Sequence, residues 1–227
     1  MKEKIEIALL TYSDSVNVSF LRWIDFLRSK NNDPQHPRQY HVVYHPGWRP
    51  VALARNHAVE HFLKGDADRL LFIDDDIVPN DTSELIFEND ADIVSGIYYL
   101  LMMKDGNPMK QAAIYKKTNG GFESIDPNML DTRNIDIDAA GTGTLLIKRK
   151  VFTEKMQLET KYESVDGELM QVDMTPYFRT LYKPDGSESR SEDIDFVWRA
   201  KQLGFSCVAD TKARFLHKKM MLLDWMI

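Results

Sequence analysis

Residues 69–80 read Arg-Leu-Leu-Phe-Ile-Asp-Asp-Asp-Ile-Val-Pro-Asn, four apolar side chains in a row followed at once by three carboxylates. An unbroken apolar run of this length predicts a strand buried on both faces, as in a parallel sheet covered by helices. Asp74, Asp75 and Asp76 come just where Pro79 and Asn80 announce a turn, so they stand at the strand's carboxyl end. In open α/β sheets that is the end at which ligands bind. Neighbouring carboxylates repel by about 1 kcal/mol even at the dielectric of water, and by more beside an apolar core. The triplet therefore asks for a positive partner. Hard oxygen ligands suit Mg2+ or Mn2+, and either ion could carry a diphosphate. A solvated acidic turn is the plain alternative.

Outward from this stretch, strands and helices alternate. Residues 5–11 predict a strand, 18–29 a helix with Phe20, Leu21, Ile24 and Leu27 as its apolar positions, 40–45 a strand and 51–64 a helix. A short helix at 82–88 and a strand at 92–99 follow. This is the pattern of an α/β fold, a mainly parallel central sheet with helices on both faces. Turn signals between 101 and 138 (DGNP, NGG, DPN) predict a smaller region of irregular hairpins. A strand and a helix start return at 139–152, and 183–191 read as a loop. Residues 192–203 predict a helix stopped by Gly204, and 205–210 a last strand.

With 227 residues, 43% hydrophobic and 28% charged, the chain suits one globular domain with a sizeable core. A net charge of −6 opposes binding to a phosphate backbone, so no nucleic-acid partner is expected. Cys207 is the only cysteine, which excludes an intrachain disulfide and a cysteine-rich zinc site and suits a reducing compartment. Glu6 interrupts the first apolar run and no small-residue cleavage site follows, so this is a strand and not a leader. No apolar stretch approaches the ~20 residues of a membrane span. The expectation is a soluble, cytoplasmic protein. The apolar end at 220–227, Met-Met-Leu-Leu-Asp-Trp-Met-Ile, can dock on the core, touch a membrane surface or lead into a further domain, and docking is the simplest of the three.

Two enzyme classes end an apolar strand in this way. Phosphatases of the haloacid dehalogenase type carry Asp-x-Asp-x-Thr/Val, which Asp74 to Val78 match, with Ser95 and the pair Glu192-Asp193 able to complete the set. Position opposes that reading. Their nucleophile ends the first strand, whereas two strand–helix units come first here. Glu192 and Asp193 also follow a polar loop and open a helix.

Four segments in order resemble a nucleotide-sugar glycosyltransferase of the GT-A fold, similar to the family 2 group. They are ALLTYSD (8–14), ARNHAVEHFL (54–63) followed by DRLLFIDDD (68–76), AAGTGTLLIKRKVF (139–152) and SEDIDFVWRAKQLGF (191–205). The resemblance implies metal-dependent, inverting transfer of a sugar from a nucleoside-diphosphate donor, by default a UDP-sugar, to a hydroxyl acceptor such as a glycan. It makes residues 1–100 a nucleotide-binding half, 101–217 an acceptor half and 218–227 a tail. Thr11, Tyr12 and Asp14 would lie beside the nucleotide, and Arg55 and Asn56 at the diphosphate or ribose. Asp74 and Asp75 would belong to the donor site, with Asp74 at the ribose or on the metal. Asp76 and His217 would complete the ligands of Mn2+ or Mg2+, and imidazole beside carboxylate suits Mn2+ better.

By the same resemblance Asp193 is the base that takes the acceptor's proton, with Glu192 as fallback. A helix's first turn favours a negative charge by about 0.3–1 kcal/mol. Both residues equally suit a plain first turn after a serine cap. Gly141 and Gly143 allow either close approach of a sugar or a bent strand, and 183–191 could serve as a lid. Trp48, Tyr98, Tyr99, Phe178 and Tyr182 are candidates to stack on a sugar ring. Family members often end the second strand with an acid that reads the base, where this chain has His45. The non-enzyme alternative is a metal- or carbohydrate-binding module.

Overall fold

The acidic triplet's strand runs through the middle of the sheet. A computed structural model describes residues 2–11, 16–47, 50–104, 106–156, 162–165, 168–171, 177–182 and 188–218. The strands are β1 (Glu3–Thr11), β2 (Arg38–Pro46), β3 (Arg69–Asp74), β4 (Ile77–Pro79), β5 (Ile93–Ile97), β6 (Tyr99–Lys104), β7 (Asn107–Ala112), β8 (Ile114–Thr118), β9 (Gly121–Ser124), β10 (Asn134–Asp136), β11 (Ala139–Ala140), β12 (Thr144–Lys148), β13 (Tyr162–Val165), β14 (Glu168–Gln171), β15 (Leu181–Tyr182), β16 (Glu188–Arg190) and β17 (Cys207–His217). The helices are α1 (Val18–Asn31), α2 (Val51–Lys64) and α3 (Glu192–Gln202).

The main sheet has the order β10-β17-β5-β12-β3-β1-β2, with β4 paired to the end of β17. Strands β2, β1, β3, β5 and β17 share one direction, while β12 enters reversed between β3 and β5, and β10 runs antiparallel at the edge. The architecture is thus the mainly parallel α/β sheet expected, with one internal reversal that periodicity could not reveal. Hairpins β6–β7 and β8–β9 fill the region read as irregular.

Strand β3 is buried on both faces, as its unbroken apolar run requires. Leu70 and Phe72 pack on one face with Ala54, Ala58 and Phe62 of α2 and Phe196, Val197 and Ala200 of α3. Leu71 and Ile73 pack on the other with Phe20, Trp23, Ile24 and Leu27 of α1. Trp23 takes the core position expected of Leu21, which is 41% exposed. The short helix at Ser83–Glu88 is a 3-10 turn.

Two differences bear on the site. The last strand continues well past residue 210, to His217, with an irregularity between Asp210 and Arg214. The strand expected at 205–210 ends on Asp210, before the polar Thr211 and Lys212. The Asp210 carboxylate is fully buried and held by Arg133 Nε at 3.2 and 3.0 Å. The loop read at 183–191 ends in β16, which pairs with β15. Residues 183–187 of that loop, Tyr12, Asp14, Trp48, the side chain of Tyr182 and the tail from residue 219 lie outside the described residues.

Candidate active site

Strand β3 ends at Asp74, and the chain turns through Asp75 and Asp76 into β4. Backbone hydrogen bonds fix this turn from three sides. Asp74 N–H donates to Gly143 O (3.3 Å), Asp75 N–H to Leu10 O (3.1 Å) and Lys218 N–H to Asp76 O (2.7 Å). The last of these ties the end of β17 to the triplet. Strand β17 reaches it by pairing Phe215, Leu216 and His217 with Pro79, Val78 and Ile77.

That pairing brings His217 Nε2 to 3.1 Å from Asp76 Oδ2. Two ligands at right angles on one ion, each about 2.1 Å from it, also stand about 3 Å apart. His217 Nδ1 and Asp74 Oδ1 are buried without hydrogen-bond partners, and buried polar atoms are rarely left so. Neither of these two atoms takes part in the Asp76–His217 contact, whose carboxylate oxygen and imidazole nitrogen are the two groups here that could serve a cation. The full three-ligand set expected from the sequence is not assembled. Among the described residues no group of three His, Cys, Asp or Glu side chains stands round a common metal position. Asp74 instead pairs with Arg55, Oδ2 to Nη2 at 3.4 Å.

Arg55 is buried and also pairs through Nη1 with Glu192 Oε1. One guanidinium thus joins the end of β3 to the first turn of α3. Burial, aided by Asp76, Asp193 and Asp75, raises the pKa of Asp74 against the opposing pull of Arg55. Burial likewise raises that of Glu192, again with Arg55 opposing and Asp193 adding. Engaged this way, Glu192 is a structural partner and a poor fallback base. Arg55, expected at the diphosphate or ribose, pairs in this structure with two carboxylates of the protein.

Asp193 lies in the same turn of α3 and close enough to raise the pKa of both Asp74 and Glu192. Its Oδ1 accepts from Ser191 Oγ and from Ile194 N–H (2.8 Å). Asn56 has a different task from the expected one. Its side chain donates to Phe178 O (2.8 Å) and accepts from Phe178 N–H (3.0 Å), so both ends of the amide hold the 177–180 segment. Thr11 is buried at the end of β1, where its carbonyl accepts from Gly47 N–H (2.9 Å).

The aromatic candidates separate clearly. Phe178 is core, stacked on Phe196 with ring centroids 4.2 Å apart. Tyr99 lines a surface cavity and its hydroxyl accepts from Asn128 Nδ2 (2.9 Å). Tyr98 is buried beneath the site, its ring 6.2 Å from that of His217 and its hydroxyl accepting from Gly143 N–H (3.3 Å). Burial first, then Asp74 and Asp193, lifts its pKa well above the usual value. This ring explains the two glycines. A Cβ on Gly141 would overlap the Tyr98 hydroxyl, and one on Gly143 would lie 2.9 Å from Cζ and 3.0 Å from the hydroxyl oxygen. The room they make is filled by protein, not left for a sugar. His45 is buried against His61 and is lowered to about 4, by burial first and then by His61 and His57.

Sequence reading missed Asp195. It is fully buried and accepts from Arg179 Nε (3.0 Å), Arg190 Nη1 (3.1 Å) and Arg199 Nε (2.6 Å). The i, i+4 spacing of Asp195 and Arg199 on α3 was the one signal available. The phosphatase alternative loses ground here as well. Ser95 Oγ is buried and donates to Gly96 O (3.0 Å), and its strand β5 is separated from β3 by β12.

No protein-family model matches this sequence, and no curated protein matches it. Among solved structures, A197 from STIV aligns over 96% of this chain and 85% of its own, with 21% identity and a TM-score of 0.56. At that identity the likeness speaks to the fold. Looser matches include GalNAc-T7 with UDP, GalNAc and Mn2+ (TM-score 0.46, 10% identity, 95% of this chain and 43% of that one). Another is the inositol-1-phosphate CTP transferase from T. maritima (TM-score 0.40, 10% identity, 93% and 88%). Among the described residues no helix is long and apolar enough to cross a membrane.

Proposed function

We propose that the chain is a metal-dependent glycosyltransferase that moves a sugar from a nucleoside-diphosphate donor to a hydroxyl acceptor with inversion. The observation that carries this reading is the meeting of Asp76 and His217 at the carboxyl end of β3, with their ligating atoms 3.1 Å apart. An acidic strand end closed by an imidazole from the far end of the chain suits a cation and its diphosphate better than a solvated turn does.

Asp76 and His217 would hold the ion, and the donor's phosphates would fill further positions, since the described residues offer no third ligand beside them. The mixed carboxylate–imidazole set favours Mn2+. Bound there, the ion would supply Lewis-acid stabilisation of the departing diphosphate. Asp74, with one oxygen unpartnered, is available to a donor hydroxyl. Arg55 keeps Asp74 and Glu192 in place, and the buried Tyr98 with Gly143 backs the turn. Asp193 takes the proton of the acceptor hydroxyl as that oxygen attacks the anomeric carbon. Its carboxylate stands at the amino end of α3, held by Ser191 Oγ and by Ile194 N–H.

The test is calorimetric titration with UDP, GDP, dTDP and CDP, each with and without Mn2+, followed by product analysis with the donor class that binds. One diphosphate is expected to bind only with the metal. Asp76→Asn should lose that binding, and Asp193→Asn should keep it while losing transfer. Equal loss of binding in both variants would contradict the division of roles. No diphosphate binding under any metal would remove the transferase reading altogether.

A further inference from the structure

Five of the six histidines lie between residues 36 and 61, and three of these gather where α2 meets the end of β2. His57 and His61 stand one turn apart on α2, which puts them on one face of it. His45 of β2 is 9% exposed, its ring edge-on to that of His61 with centroids 5.9 Å apart.

The two helix histidines each have an acid at hand. His61 Nδ1 is 3.1 Å from Oε1 of the buried Glu6 on β1, and His57 Nδ1 is 3.8 Å from Oε2 of Glu60 on α2 itself. His45 differs. Among the described residues no acid pairs with it, and its Nε2 is buried without a hydrogen-bond partner. The charges that reach it are those of His61 and His57. His41, on the same face of β2, is exposed. A proton on His61 or His57 thus meets a carboxylate, whereas a proton on His45 meets only two more imidazoles and little water.

The place of His45 gives this consequence. β2 is the outermost strand of the sheet, held through β1. His45 is paired in register with Leu10, and Pro46 with Thr11. Gly47 N–H donates to Thr11 O (2.9 Å), and Leu10 O accepts from Asp75 N–H (3.1 Å). One strand therefore separates the seat of His45 from the acidic turn.

We propose that His45 is a proton-sensitive latch on the end of β2. Neutral, it stays seated against α2. Once charged it leaves that seat and frees the carboxyl ends of β2 and β1. The latch stands or falls independently of the transfer reading.

Amide exchange over residues 40–47, read by mass spectrometry for the parent chain and for His45→Phe at pH 7 and pH 5, tests it. Phenylalanine fills the seat and takes no proton, and comparing two proteins at one pH cancels the intrinsic pH dependence of exchange. Burial first, then His61 and His57, hold His45 at about 4, against an ordinary 6.5. Each unit of that gap is a factor of ten in opening once the pH lies below the ordinary value. The ratio of parent to variant exchange should therefore rise about tenfold or more from pH 7 to pH 5, while β3 stays protected in both. A ratio that does not change would overturn the proposal. So would opening of β2 only in step with β3, which is unfolding and not a latch. NMR of the histidine ring nitrogens in the parent chain supplies a check that needs no substitution. The ring in contact with His61 should stay neutral down to pH 5 while β2 is closed, and an ordinary titration with β2 still protected would also overturn the latch.

Discussion

At the scale of single residues, Arg55 balances the charge of the site. It sits between Asp74 and Glu192, and burial raises the pKa of both. A carboxyl whose folded pKa is raised adds stability that is complete below its ordinary value and lost as pH climbs through the folded one. For Glu192 the loss begins above the ordinary 4.5. Removing the guanidinium takes away the influence that lowers both groups, so the loss deepens. Arg55→Met is therefore expected to cost about 3–5 kcal/mol at pH 7, the usual range for breaking a buried pair, and much less near pH 4, where both acids can be protonated. Urea denaturation of parent and variant at the two pH values measures it, and a cost independent of pH would refute this account. Asp92, Asp136 and Asp138 act in the opposite sense, since hydrogen bonds from lysines or backbone hold them low despite partial burial. Their contribution is lost as pH falls, so stability should peak between the two effects.

At the scale of elements, the first turn of α3 is positioned by Asp195. Its three arginines come from both sides of hairpin β15–β16 and from α3 itself. Asp195→Asn leaves these guanidinium groups without their common charge, and a loss of about 3–5 kcal/mol follows from breaking buried pairs. If the transfer reading holds, transfer should fall by more than donor binding, because Asp193 moves with the turn while the Asp76–His217 pair does not. A second element-level test concerns the Tyr98 ring. Gly141→Ala is expected to destabilise the protein, and adding Tyr98→Phe should recover part of the loss, read as the coupling in a double-mutant cycle. These elements also show what a sequence can disclose. β3 was legible because burial on both faces leaves an unbroken apolar run. β17 was read short, ending at Asp210, because the polar Thr211 and Lys212 that follow look like the end of a strand. The direction of β12 leaves no mark on composition at all. The glycines were visible as glycines, but their reason, a tyrosine packed beneath them, is a tertiary fact. Arg55 and Asp193 were singled out by motif, and the motif did not tell that Asn56 bonds the backbone of Phe178 or that Arg55 pairs with both Asp74 and Glu192.

At the scale of the whole molecule, the sheet joins residues that lie far apart in the chain, and this is what a donor should stabilise. Asp76 comes from the turn after β3, and His217 from the end of β17 at the other side of the reversed strand β12. A ligand that bridges them favours the folded state by RT ln(1 + [L]/Kd), about 2.7 kcal/mol at a hundredfold excess over Kd. For a domain of this length 1 kcal/mol moves Tm by roughly 2–4 °C, so saturation should raise Tm by about 5–10 °C. Because among the described residues only a carboxylate and an imidazole stand at contact distance, Mn2+ alone should bind weakly and shift Tm little. Mn2+ together with the preferred nucleoside diphosphate should give the full rise, and a chelator should remove it. Asp76→Asn and His217→Ala should each abolish the rise, whereas Asp193→Asn should retain it, since on the proposed reading its side chain serves the acceptor's proton and not the ion. Thermal scans of the four proteins with metal, nucleotide or both decide between these outcomes. A full rise with metal alone would mean a complete ligand set that includes Asp74, contrary to its pairing with Arg55. A rise that survives Asp76→Asn would place the nucleotide elsewhere on the sheet.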